Sequence, residues 1–546
     1  MHAYLMHIIG RPVFALVFFV ILPMRKKLHL LLFALLFATA PALAQQPGAS
    51  VDIQHYRFAL SLNDADNIIK GRATITAKSL KASTKLELDL YKKNAEGKGM
   101  VVTAVTENSR SLKFTQDSDK LVVATKTAQG AIHNYTITYQ GVPTDGLIIS
   151  TNQYGHRTFF GDNWATRAHY WLPCVDNPAD KASVEFLVTA PLKYKVVGNG
   201  LKVLEKPLPG NKKLTHWSET AQLPTKVMVI GVADFAVANP GNPGGIPVYT
   251  YVFPEDKEAG FKNYAVATKI LPWFVKRIGA FPYKKLANVQ SKTVFGGMEN
   301  AGAIFYYEKS VNGREIEPLM AHEIAHQWFG DAVSEKSWWH VWLSEGFATY
   351  MTNLYMEGTY GADTLKNRLA ADRKAIFNFE KKYIAPVVDS TFKGPMINML
   401  NDNAYQKGGW VLHMLRRKIG DTAFWKGITA YYKQYNGSNA NTEDLRIVME
   451  NASGTDLKQF FNQWLREAGH PRLKITRDYN AADKTVAFHI AQLQEKPYQF
   501  TLECLVDGKL YKTEVKSNAA TFIVPVASAT PVIKVDPNVN LLAEFD

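Results

Sequence analysis

Residues 322 to 326 read His-Glu-Ile-Ala-His, the most concentrated chemistry in the chain. On a helix of 3.6 residues per turn, positions four apart share a face, so both imidazoles can meet one ion. Glu323, about 100° round the same helix, flanks that ion. Two nitrogens leave a metal short of ligands, and the same pentapeptide also occurs where a helix merely packs two histidines. The third ligand comes from Ser344-Glu345-Gly346, with 18 residues between His326 and Glu345. That interval lets a first helix, beginning near Pro318, stop at Gly330. A loop carrying Trp338, Trp339 and Trp342 then reverses the chain, and a second antiparallel helix from about Leu343 presents Glu345. Two neutral imidazoles and one carboxylate leave a fourth position for water, the arrangement of a catalytic zinc site holding one ion per chain. Glu323 is then the general base. Cys174 and Cys504 match no CxxC spacing, so a thiolate site and a disulfide framework are both excluded.

Two further segments bear on this site. Gly296-Gly297-Met298-Glu299-Asn300 ends an extended run before the zinc helix. Its glycines let backbone approach a ligand closely, as an edge strand pairing with a substrate does. Glu299 adds a carboxylate near the metal. Asp402 to Gly409 opens a helix whose apolar face includes Val411, Leu412 and Leu415, with Tyr405 in its first turn. Alone, a Gly-Gly reads as a turn and a Tyr reads as packing.

The elements that position these residues follow from length and periodicity. The 546 residues are enough for about three domains. A 47% hydrophobic and 21% charged composition excludes disorder and coiled coil. Period-two alternation, as in Tyr56, Phe58, Leu60, then Ala73, Ile75, Ala77, then Leu86, Leu88, Leu90, predicts half-buried strands over residues 45–253. Residues 254–470 read as an α/β block, with helical spacing from Phe261 to Ile278 and an extended stretch from Ala287 to Val294. Residues 471–546 return to alternation, with Asp507-Gly508 as a tight turn, and predict a small β-sandwich.

The formal net charge of +14 includes Arg11, Arg25, Lys26 and Lys27 in an N-terminal segment that holds no acid. The remaining cations are interspersed with acids and form no basic stripe, which argues against a nucleic-acid partner. From Met24 the chain reads as a charged n-region, an apolar run from Leu28 to Ala40, and Pro41-Ala42-Leu43-Ala44. This predicts Met24 as the true start, export to the periplasm or exterior, cleavage after Ala44, and no stable membrane anchor after cleavage. An anchor spanning residues 12–40 would bury three adjacent cations at about 3 kcal/mol each.

Together, GGMEN at 296–300, HEIAH at 322–326, the gap to Glu345 and Tyr405-x-Lys407-Gly408 resemble the M1 aminopeptidases of the gluzincin group. The similarity extends to Arg167-Ala168, to Pro173 through Pro178, to Lys181-Ala182, and to Phe461 through Leu465. The resemblance implies a multidomain α+β fold: a saddle-shaped N-terminal β domain, a thermolysin-like catalytic domain and a C-terminal β-sandwich. The family's large C-terminal helical-repeat domain is expected to have no counterpart. The resemblance also implies a zinc enzyme acting on peptides with a free N-terminus. In it His322, His326 and Glu345 hold the zinc and Glu323 is the base. Glu299 grips the substrate's α-amine, with Gly296, Gly297, Met298 and Asn300 beside it, and Tyr405 stabilises the oxyanion. Asp162, 11 residues before Pro173, stands where many members have a second amine-binding Gln or Glu. Glu299 argues against an endopeptidase, and the complete catalytic set argues against a non-catalytic binding protein. An epoxide hydrolase-like activity on the same scaffold stays open.

Overall fold

A computed structural model describes residues 49–313 and 316–546. The expected signal peptide and its cleavage site lie outside these residues. The period-two segments are strands of an eight-stranded sheet in which Val51–Ser61 runs parallel to Lys181–Pro191 and antiparallel to Ile69–Ser79. Register pairs Phe58 with Phe186 on one side and with Ala73 on the other, and the two phenyl rings stack at 5.5 Å. Tyr56, Phe58, Leu60, Ala73, Ile75 and Ala77 are all buried, as alternation on one packed face requires. A three-stranded and a four-stranded sheet complete this β-rich region.

The catalytic region is built on a five-stranded mixed sheet. Its inner strands, Val248–Val252, Leu286–Ser291 and Ala303–Tyr307, are parallel and buried on nearly every position. Two of its strands, Ala236–Gly241 and Val248–Val252, precede residue 254, so the sheet crosses the boundary expected at 253/254. Gly297–Met298 pairs antiparallel with Ala303–Tyr307 and forms the sheet's edge. The helical run expected from Phe261 to Ile278 is two helices, α1 (Lys257–Tyr264) and α2 (Ala267–Ile278). The zinc-motif helix α3 spans Ile316–His326 and ends four residues before Gly330. The chain then turns to α4 (Trp342–Tyr360), followed by α5 (Ala362–Glu380). Of the tryptophans at this reversal, Trp342, the first residue of α4, is core, while Trp339 is 42% exposed.

Tyr405 sits in a π-helical turn, Asn403–Lys407, that leads directly into α6 (Gly408–Ile419). The closest approach of α4 to this segment is backbone on backbone. A Cβ built at Gly346 would lie 2.8 Å from the Cα of Gly408, and one at Gly408 would lie 3.0 Å from the Cα of Gly346. Glycine at both positions therefore sets the spacing between the helix carrying Glu345 and the turn carrying Tyr405.

Two buried lysines join the β-rich region to the catalytic region. Lys226 pairs with Glu335 at 2.8 Å, and Lys181 donates to the carbonyls of Asp331, Ala332 and Ser438 at 2.8–2.9 Å. From Arg472 onward, a four-stranded and a three-stranded sheet close the chain, and Asp507-Gly508 turns Phe500–Val506 back into Lys509–Val515. Cys174 and Cys504 are buried free thiols. No helix among the described residues is long and apolar enough to cross a membrane.

Because neither glycine has room for a methyl group, Gly346→Ala or Gly408→Ala should destabilise the protein by about 1–3 kcal/mol through overpacking. Thermal melting checks this, and an unchanged midpoint for both variants contradicts the backbone contact.

Candidate active site

The last two turns of α3, the first turn of α4, the Gly297–Met298 edge and the π turn converge on a cavity of about 330 Å³. At its floor, the Nε2 atoms of His322 and His326 lie 3.1 Å apart. Oε2 of Glu345 is 3.4 Å from the first and 3.2 Å from the second. Ligand atoms about 2.0–2.1 Å from a tetrahedral zinc are about 3.3 Å from one another, so this triangle fits the ion. The outer nitrogen of His326, Nδ1, lies 3.1 Å from the Phe329 carbonyl oxygen, which fixes the proton there and leaves Nε2 free to ligate. Oε2 of Glu345 is buried without a hydrogen-bond partner of its own. Burial acts to raise the Glu345 carboxyl, but the facing imidazoles outweigh it and hold the group well below the usual carboxylate range.

Burial lowers the His322 imidazole. For His326 burial acts in the same sense, yet Glu345 and Glu299 push it up to about 10. The carboxylates thus favour positive charge at this point of the cavity. Glu323 is pushed well above the ordinary glutamate value, first by burial and then by Glu299 and Glu345, with His326 opposing. A base with raised proton affinity, 4% exposed and on the wall beside the ligand triangle, suits proton abstraction from water.

Glu299 lines the same cavity, is 4% exposed, and leaves Oε1 without a partner. Ligand-capable atoms of Glu299, Glu323 and His326 all lie within 4.8 Å of one another. Gly296, Gly297 and Met298 line the cavity with it. Gly297 has a steric reason: a Cβ there would fall 2.3 Å from Oε1 of Glu323. Tyr405 closes the opposite side, its ring stacked on His322 at 5.8 Å and 11°. Burial, and then the carboxylates of Glu345, Glu299 and Glu323, push its phenol well above the ordinary value, so it stays protonated and able to donate.

Two residues expected at the site are placed elsewhere. Asp162 is fully buried and does not line the cavity. One carboxylate oxygen meets Arg167, and the other accepts from the Thr293 hydroxyl at 3.0 Å and the Val294 amide at 3.1 Å. It fastens the loop before Gly296 to the β-rich region and has no oxygen left for an amine. Asn300 is also buried outside the cavity lining, its carbonyl accepting from the Ala303 amide. Conversely, the lining includes Trp164, Phe295, Leu319 and Leu400, which no motif indicated. His413 is a packing residue, bonded to the Tyr350 hydroxyl and to Asn540 at 3.1 Å each.

The model of the Peptidase M1 N-terminal domain matches residues 53–227 and that of the Peptidase family M1 domain matches residues 263–464, more than half of the chain between them. The chain belongs to peptidase family M1. Among curated relatives, Probable aminopeptidase 2 of Sulfurisphaera tokodaii is 26% identical over 447 residues, covering 78% of this chain and 55% of that protein. The Leucyl aminopeptidase of Saccharolobus solfataricus is 24% identical over 439 residues, covering 76% and 54%. The chain spans about half the length of the curated relatives it matches. The fold is similar to that of Legionella pneumophila aminopeptidase A, solved in complex with aspartic acid. The TM-score is 0.80 at 16% identity, over 92% of this chain and 60% of that one.

Gly297→Ala should lower turnover by at least about 10-fold, because the added methyl displaces the Glu323 carboxylate, a small misplacement of a reacting group that costs rate rather than fold. The check is kcat alongside zinc content and melting temperature. Wild-type kcat contradicts the packing of Gly297 on the base.

Proposed function

We propose that this chain is a zinc aminopeptidase that removes the N-terminal residue from peptides with a free α-amine. The observation that carries the reading is the placement of Glu299. Its buried, unpartnered carboxylate oxygen belongs to the same 330 Å³ cavity as the His322, His326 and Glu345 triangle. When bound there, zinc supplies Lewis acidity toward the scissile carbonyl and lowers the pKa of water.

The chain's own residues do the rest. The Gly297–Met298 edge offers backbone groups to an extended substrate, which lines the peptide up along the sheet. Glu299 accepts hydrogen bonds from the substrate ammonium, and this contact sets the scissile bond one residue away over the triangle. Glu323 takes a proton from the attacking water and returns it to the leaving amine. The Tyr405 hydroxyl donates to the developing oxyanion, a bond that strengthens as negative charge builds. The alternation of charged and apolar segments before Ala44 supports export, which N-terminal sequencing of the secreted form tests. A mature start at Gln45 is expected, and retention of residues 24–44 contradicts it.

An ammonium held by a desolvated carboxylate gains about 1.5–3 kcal/mol that an acetylated N-terminus forfeits. Aminoacyl amides and free peptides should therefore be cleaved while their N-acetyl forms are not, and chelation should abolish the activity. Glu299→Ala should lower kcat/KM for free-amine substrates by about 10- to 100-fold. Efficient hydrolysis of N-acetylated peptides by the wild type would falsify the exopeptidase reading and leave a zinc hydrolase.

A further inference from the structure

The turn that carries Tyr405 does not hold itself. Its π geometry is closed by the Lys407 amide donating to the Asp402 carbonyl, five residues back, at 2.8 Å. Such a wide turn is rare and poorly self-enforcing, so it persists where outside contacts fix it. Besides the Gly346–Gly408 contact and the Asn403 side-chain amide, which donates to the Ala385 carbonyl at 2.9 Å, the turn is tied through Lys407, two residues beyond Tyr405 and completely buried. Its Nζ donates to Oε1 of Glu380 at 2.7 Å and to the Gly469 carbonyl at 2.8 Å. Glu380, 4% exposed, is the last residue of α5, where a carboxylate opposes the helix dipole and needs a cation. The other oxygen of Glu380 meets Nδ1 of His470, whose ring stacks on Phe377 at 4.2 Å. Gly469 and His470 stand at the junction with the C-terminal sheets, three and two residues before the first strand, Arg472–Asn480.

We infer that Lys407, held by Glu380 and the Gly469 carbonyl, is a positioning residue for Tyr405. It ties the π turn to α5 and to the junction with the C-terminal sheets, so that the phenol is delivered beside His322. The ammonium touches no reacting atom, and its effect passes only through the turn. This inference rests on the role proposed above for Tyr405. It goes beyond that reading by making a buried ion pair outside the cavity a determinant of turnover, and by giving the start of the C-terminal region a part in the chemistry.

The test is a double-mutant cycle on the zinc-loaded full chain, read as kcat and KM for a free aminoacyl amide. Lys407→Met should lower kcat by about 10- to 100-fold with KM within about 3-fold and zinc content unchanged, because the lost interaction is one made in the transition state. In a Tyr405→Phe background the same substitution should change kcat by less than about 2-fold, the non-additivity expected of groups acting as a unit. Because a lone Glu380 left buried threatens folding, Lys407→Met combined with Glu380→Met removes both charges together, and it should remain folded with the same low kcat. Wild-type kcat in that folded double variant, or an equal loss in the presence and absence of the Tyr405 hydroxyl, overturns the inference. If Tyr405→Phe alone keeps wild-type kcat, the proposed role of Tyr405 falls and the anchor falls with it. A low kcat for Tyr405→Phe beside a normal one for the lysine variants overturns the anchor alone.

Discussion

Three buried carboxylates, Glu299, Glu323 and Glu345, face one small cavity whose lining, among the described residues, contains no lysine or arginine. Negative charge gathered in a water-poor space is costly unless cations enter it, and the site is arranged so that cations arrive from outside the chain. A divalent ion suits the triangle of His322, His326 and Glu345. A substrate ammonium suits Glu299. Burial and the other two carboxylates raise the proton affinity of Glu323, which the proposed mechanism uses for proton transfer. The lysines nearest this region are spent elsewhere: Lys226 is paired with Glu335, and Lys181 is bound to three carbonyls. Both hold the two regions together, and neither enters the cavity lining.

Such a charge arrangement tolerates little slack, and the scaffold removes slack by bringing backbone against backbone. Gly297 lets the edge strand lie on Glu323, and the Gly346–Gly408 crossing lets α4 touch the segment that carries Tyr405. Packing at these points leaves no flexible side chain to absorb error. The region expected to be a separate β domain enters the same scheme, since Trp164 forms part of the cavity wall and Asp162 fastens the loop that precedes Gly296.

What the sequence made legible was whatever depends on spacing. A spacing of four positions from His322 to His326 forces a shared face on any helix, and alternation around Phe58 and Ile75 forces burial on any paired strand. The sequence places the end of α3 four residues late, because apolar spacing continues through Trp328 and Phe329, where regular helical bonding gives way to a mixture of three-, four- and five-residue spacings. Asp162 stands as an amine-binding carboxylate only through the family resemblance, which matches it to a position 11 residues before Pro173. A loop residue carries no periodicity that tells which way it points, and Arg167 and Thr293 claimed it. Trp164 went unread for the same reason, and Lys407 because a lysine in a helical turn is ordinarily solvated. Its burial depends on Glu380 and Gly469, partners 27 and 62 residues away that no local pattern reveals.

Both cysteines of the chain are fully buried, Cys174 bridged to Asp89 at the end of a strand of the three-stranded sheet and Cys504 within the C-terminal sheets. The folded surface of the described residues consequently has no thiol chemistry: nothing to be sulfenylated, glutathionylated or drawn into exchange with a foreign disulfide. One cysteine placed at exposed Val294, beside the cavity mouth, becomes the sole thiol that a maleimide dye or spin label can reach. Motions of the loop before Gly296 can then be followed by fluorescence or electron paramagnetic resonance without first stripping native cysteines from the chain.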